Sequence, residues 1–143
     1  MNDYLKINGL IPHHPPMLAV GSLISLKPDE AVSSTEFTED SIFLNDQGQF
    51  EEAALFEMMA QTFAAMAAAG SMKGKPADRG FLVGLKKIRF SDLAVSLEKP
   101  IEIKVKLISQ VEDFYVVEGE ARQNACILAS GQLTIMIPPP DAA

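Results

Sequence analysis

The chain has no tryptophan, one cysteine, two histidines and 12 basic residues against 19 acidic ones. Each shortage removes a class of protein. A single cysteine, Cys126, cannot close an internal disulfide, so nothing points to a stapled secreted scaffold. A net charge of −7 speaks against general nucleic-acid binding, which needs a surface that neutralises phosphates. The two histidines, His13 and His14, are neighbours with no cysteine or carboxylate cluster nearby, a spacing that matches no usual metal site. The longest apolar run, Ala53 to Ala69, is 17 residues long and contains Glu57, Gln61 and Thr62, so it is marginal in length and too polar for a membrane span. The N-terminal stretch is broken by Pro12, Pro15 and Pro16 and lacks the basic start and continuous apolar core of a signal peptide. A soluble, cytoplasmic protein is expected.

What is present fits one domain spanning residues 1–143, with a core of ordinary size: 48% of the residues are apolar and 22% charged. No repeat or low-complexity linker divides it. Residues 1–17 read as irregular, stiffened by the prolines. Leu23–Leu26 and Ala31–Phe37 read as short strands separated by the turn Lys27-Pro28-Asp29-Glu30, and residues 39–50 as a polar loop. Phe50 to Ala69 holds strong helix formers without proline or glycine; Gly70 stands where a stop is expected, and Glu51 and Glu52 fall in the first turn, where the helix dipole favours them. Gly80–Phe90, Ile101–Val111, Phe114–Arg122 and Cys126–Ile137 read as strands. Ile101 to Leu107 alternates strictly, Glu112-Asp113 suits a tight hairpin turn, and Pro138 to Pro140 ends the last strand. The class is α+β. A helix that is apolar all round must be enclosed on most sides, which calls for an antiparallel sheet curved around it and for a second subunit. A sheet wrapped around one central helix is the hotdog architecture.

Three features could carry chemistry. Glu57 lies inside the apolar helix, and Gln61, four residues on, emerges on the same face. Burying an ionised carboxylate is costly and favours its protonated form, which suits general acid–base work. The packing alternative is a wet helix face or a satisfied buried pair. His13 and His14 sit in the stiff segment Ile11-Pro-His-His-Pro-Pro-Met-Leu, where a directed imidazole could move a proton; the alternative is an exposed turn. Lys73, Lys75, Arg79, Lys86, Lys87 and Arg89 gather half of the basic residues into seventeen positions interrupted only by Asp78. Such a patch suits an anionic partner, or is simply a solvated strand face. Cys126, in an apolar strand, is expected to be buried and inert. Met58, Met59 and Met66 fill core or line an acyl tunnel.

Together these stretches resemble the hotdog-fold 3-hydroxyacyl-[acyl-carrier-protein] dehydratases. Ile11 to Leu18 is similar to that family's entry motif, Glu57-Met-Met-Ala-Gln61 to its helix motif Glu-Ala-Leu-Ala-Gln, and Phe81 to Phe90 to the strand ending in Arg-Phe. In order and spacing the likeness runs from about Leu10 to Ile137. One departure stands out. Where the family carries Gly-His-Phe-Pro-Gly before the helix, this chain has Ser41 to Phe50 without a histidine, Phe43 falling near its place. The likeness is therefore closer to a divergent branch found with polyene- or lipid-type synthesis clusters. The resemblance implies a dehydratase in which Glu57 is one catalytic group, His13 or His14 the other, and Gln61 the residue that orients Glu57. Phe56, Met59, Phe63, Phe81 and Gly84 would contact the acyl group. The substrate handle would be a phosphopantetheine thioester on acyl-carrier protein or coenzyme A, with no resident cofactor or metal. The basic run would dock the acidic carrier, and the assembly would be a homodimer or a hetero-oligomer with another hotdog chain. A hotdog thioesterase using a lone helix carboxylate and a non-catalytic partner subunit are the other readings of Glu57 without that histidine.

Overall fold

A computed structural model describes residues 5–6, 21–36, 52–71 and 81–138. Strands β1 (Leu5–Lys6), β2 (Ser22–Leu26) and β3 (Glu30–Thr35) precede helix α1 (Ala54–Met66), and β4 (Phe81–Phe90), β5 (Ile101–Val111), β6 (Phe114–Gln123) and β7 (Cys126–Met136) follow it. All pairings are antiparallel, in the spatial order β1-β2-β3-β5-β6-β7-β4. Strand β4, the first after the helix, thus crosses to the far edge.

The period-two pattern decides which face looks inward. Ile101, Ile103 and Val105 are fully buried, while Glu102 and Lys106 are exposed and Lys104 is half-buried. Across the ladder Lys104 faces Glu120 and Lys106 faces Glu118, so the outer face is a lattice of alternating charge. The inner face receives α1, which packs on β2, β3, β5, β6 and β7. Leu55, Met58, Met59, Phe63 and Met66 are each no more than 1% exposed and form the middle of one continuous core. Gly119 and Gly131 pair across β6 and β7 directly beneath the helix. A Cβ at Gly119 would collide with Sδ of Met59, and one at Gly131 would lie 2.7 Å from Cε1 of Phe56. The missing side chains let the helix sit close to the sheet backbone.

The turns account for the register. Lys27 N–H donates to the Glu30 carbonyl at 2.8 Å and closes the β2–β3 turn. Glu112 takes φ 54° in the two-residue β5–β6 turn, and Asn124 and Ala125 take 51° and 68° in the β6–β7 turn, as a type I′ turn requires. The connection from β4 to β5 is clamped by Gln123. Its Oε1 accepts from Ser96 N–H at 2.9 Å, and its Nε2 donates to the carbonyls of Ser96 and Lys99 at 2.7 and 3.0 Å.

Four expectations are corrected. Leu5–Lys6, in the stretch read as irregular, forms β1 because it pairs with Leu23 and Ser22 of β2. The helix begins at Ala54 rather than Phe50, because a turn at Glu52 and Ala53 precedes it; Glu52 stands before the first turn, where Glu57 is the acidic residue, and Glu51 lies outside the described residues. Past Met66 the chain does not stop at Gly70 but widens into a π-helical turn over Ala67–Ser71. Cys126 is exposed, not buried, since it follows the β6–β7 turn at the sheet's end and burial along β7 starts only at Leu128. No helix among the described residues is long and apolar enough to cross a membrane.

Candidate active site

Glu57 sits in the first turns of α1, on the side of the helix turned away from the sheet. It is half-buried, as are Ala60 and Ala64 on the same face. Gln61, one turn on, is 1% exposed, and its Nε2 donates to Glu57 Oε1 at 3.2 Å. An i, i+4 pair on a helix meets without backbone distortion, so the amide helps hold the carboxylate in one direction. A carboxylate fixed in this way, beside small alanine side chains, can accept or deliver a proton at one defined point.

The first-turn amides are less available than a bare helix N-terminus implies. Leu55 N–H donates to the Glu52 carbonyl at 3.0 Å and Phe56 N–H to the Ala53 carbonyl at 3.2 Å.

The aromatic and methionine residues assigned to the acyl group are divided by the fold. Phe56, Met59 and Phe63 are buried against the sheet. Phe56 meets Phe90 edge-on, with centroids 5.6 Å apart and planes at 85°, and Phe63 lies 5.6 Å from Tyr115. They are core residues of this chain. Phe81 and Gly84 are not brought to the helix. Phe81 pairs with Met136, which lies between buried Ile135 and Ile137 and so points outward, and Gly84 faces Thr134 on that same outer side. Period-two alternation across the bulge at Val83 sets these directions, and the sequence shows no bulge.

Lys86, Lys87 and Arg89 are exposed on β4. Lys86 pairs with Gln132 and Arg89 with Ser130, both outer-face positions, and Lys87 sits in the bulge between them at φ 56°. Lys87 also borders an open cleft of about 420 Å³ on the outer face, with Lys104, Lys106, Glu118 and Glu120 around it. That cleft is on the opposite side of the sheet from Glu57. His13, His14, Lys73, Lys75, Arg79 and the stretch containing Phe43 lie outside the described residues.

Two features had no signal in the sequence. Ser33 and Thr62, both fully buried, share a 2.8 Å hydroxyl–hydroxyl bond between β3 and the helix. Tyr115, 4% exposed beneath the helix, has its hydroxyl pushed above the usual tyrosine range, first by burial and then by the charge of Asp113.

A curved antiparallel sheet that holds one central helix, with a carboxylate on that helix, defines a protein of the hotdog class, to which acyl-thioester dehydratases and thioesterases belong. The chain belongs to the ApeP-like dehydratase family, which it matches over residues 5–143. It is 31% identical over 147 residues to the 3-hydroxyacyl-[acyl-carrier-protein] dehydratase FabZ of Streptococcus suis, covering 96% of this chain and 99% of that one. Among solved structures, the dehydratase heterocomplex ApeI:P from Xenorhabdus doucetiae holds a similar chain, with a TM-score of 0.84 at 27% identity over 94% of this chain and 92% of that one. A hypothetical thioesterase from Streptococcus pneumoniae, solved with coenzyme A, shares the fold at a TM-score of 0.63 and 15% identity, over 82% and 84%. The family inferred from three short motifs is the family the whole chain matches.

Proposed function

We propose that this chain takes part in removing water from 3-hydroxyacyl groups carried as thioesters on acyl-carrier protein, in fatty-acid or polyketide-type synthesis. The observation that carries the reading is Glu57, held by Gln61 on the central helix of a dehydratase-family frame. In the reaction a base removes the C2 proton, the C2–H electron pair forms the C2–C3 double bond, and the C3 hydroxyl leaves as water once an acid protonates it. Glu57 serves as one of these two groups. His13 or His14, from the same chain or from a second subunit, serves as the other.

A second subunit is part of the reading. The six large apolar residues of β4 are between 37% and 52% exposed, and among the described residues β4 is the edge of the sheet. A long apolar edge strand with unpaired backbone groups is an association site. Pairing there with another hotdog chain, whether a copy or a different one, would cover Leu82, Leu85 and Phe90 and complete the groove next to α1. The exposed cations Lys86, Lys87 and Arg89 lie along the same strand, with Lys86 and Arg89 on its outer face, where an acidic carrier could dock.

The test is a single-turnover reaction with a 3-hydroxyacyl carrier-protein thioester, read by mass for water loss and for free thiol. Water loss is expected in the wild type and should fall at least ~100-fold in Glu57→Gln. Release of thiol without an enoyl product would transfer the assignment to a thioesterase. Neither product, with activity restored by a second hotdog chain, would make this chain the partner subunit.

A further inference from the structure

The core contains a polar device that the proposed chemistry does not use directly. Thr62 Oγ1 donates to the Met58 carbonyl at 2.8 Å. Its single proton is thereby committed, so the proton in the 2.8 Å Ser33–Thr62 contact belongs to Ser33. The result is a directed chain running from the β3 hydroxyl to the Thr62 hydroxyl and on to the Met58 carbonyl, next in sequence to Glu57. Ser33 and Thr62 are both fully buried. Ser33 stands on the inner face of β3, opposite Leu23 of β2 and Ile103 of β5, where an apolar side chain would pack.

A satisfied buried hydroxyl pair adds little net stability, because replacing both partners by apolar groups of similar shape can be nearly neutral. What it adds is direction. The rest of this helix–sheet contact is built from Leu55, Met58, Met59, Phe63 and Met66. Methionine adapts to its surroundings, and apolar contacts alone tolerate a small roll or slide of the helix. A hydrogen bond does not, since it weakens steeply with misalignment. Met58 and Thr62 directly follow Glu57 and Gln61 in the chain, so rolling the helix about its axis would swing both of the latter.

We infer that Ser33 and Thr62 are positioning residues: their bond sets the roll of α1 against β3 and thereby the direction in which Gln61 presents the Glu57 carboxylate. The inference rests on the dehydratase reading of Glu57. It deepens that reading by naming what aims the carboxylate from within the core.

The experiment compares wild type, Ser33→Ala, Thr62→Val, the double variant and the conservative Thr62→Ser, each in the assembly that shows turnover. Thr62→Val is expected to lower kcat about tenfold and leave KM within about twofold; it strands the buried Ser33 hydroxyl and lowers Tm, whereas the double variant keeps Tm near the wild type at the same loss of kcat. The double variant should be no worse than the single ones, and Thr62→Ser should restore most of the rate. Independently of turnover, the side-chain carboxyl carbon resonance of Glu57 should move in Thr62→Val and return in Thr62→Ser. Wild-type kcat in both single variants, or a rate loss that only follows a loss of Tm, would overturn the inference. If the wild type has no dehydratase turnover, the dehydratase reading fails, and the resonance still decides whether the hydroxyl pair aims Glu57: no movement refutes it.

Discussion

At the scale of single residues, the side chains that matter are those whose chemistry disagrees with their surroundings. Tyr115 is one. Burial and the nearby Asp113 charge both disfavour its phenolate and raise its pKa above the ordinary value of 10.0. The folded protein therefore keeps a proton that the unfolded chain releases at lower pH. That contribution is intact below pH about 10 and is lost as the pH rises past it. Urea midpoints measured between about pH 8 and about pH 11 should fall in the wild type, and the fall should be shallower in Tyr115→Phe. Gly131 is another. A Cβ there would meet the Phe56 ring at 2.7 Å, and Phe56 is already pinned against Phe90. Gly131→Ala should cost about 1–3 kcal/mol in chemical denaturation, the range for overpacking a filled core.

At the scale of elements, the connections carry the strain and the strands carry the order. The β6–β7 turn puts Ala125 at φ 68°, a conformation that costs a residue with a Cβ roughly 1–2 kcal/mol. Ala125 is exposed, so nothing else holds it there. Ala125→Gly makes the Asn-Gly pair that this turn prefers. It should raise stability by about 1 kcal/mol, read as a higher urea midpoint at unchanged slope. The helix works the other way. Its ends are plain, with no side-chain cap at Ala53, and its position comes from packing and from the Ser33–Thr62 bond rather than from its own sequence signals.

At the scale of the whole molecule, the asymmetry of charge matters. The protein is acidic overall, at −7, yet Lys86, Lys87 and Arg89 stand together on β4, the apolar strand at the edge of the described sheet. Locally this offers a cationic rim to an acidic partner while the net charge of the molecule opposes it, an arrangement that orients an encounter more than it tightens one. Reversal of both lysines, Lys86→Glu with Lys87→Glu, should weaken carrier-protein binding about tenfold or more and flatten its salt dependence. Titration calorimetry at two ionic strengths checks this. Equal binding in the variant would free these residues of that role.

The strands after the helix were legible because Ile101 to Leu107 and its neighbours alternate, and an alternating segment half exposed in an antiparallel sheet has little choice of conformation. The helix was legible from composition, and Glu57 with Gln61 from their spacing, because i and i+4 meet on any helix. The limits of the helix, the exposure of Cys126 and the outward turn of Phe81 and Gly84 were not legible. Each depends on a local irregularity, whether a preceding turn, a strand's exposed end or a bulge, that shifts a side chain without any mark in composition. Gly119, Gly131, Ser33 and Thr62 looked ordinary in sequence, since their meaning lies in what stands across from them. Local patterning by itself determined the elements, the class of fold and the carboxylate. Long-range contact decided how closely the helix sits on the sheet, how it is rolled against β3 and which strand stands at the edge of the described sheet, because these are relations between segments far apart in the chain.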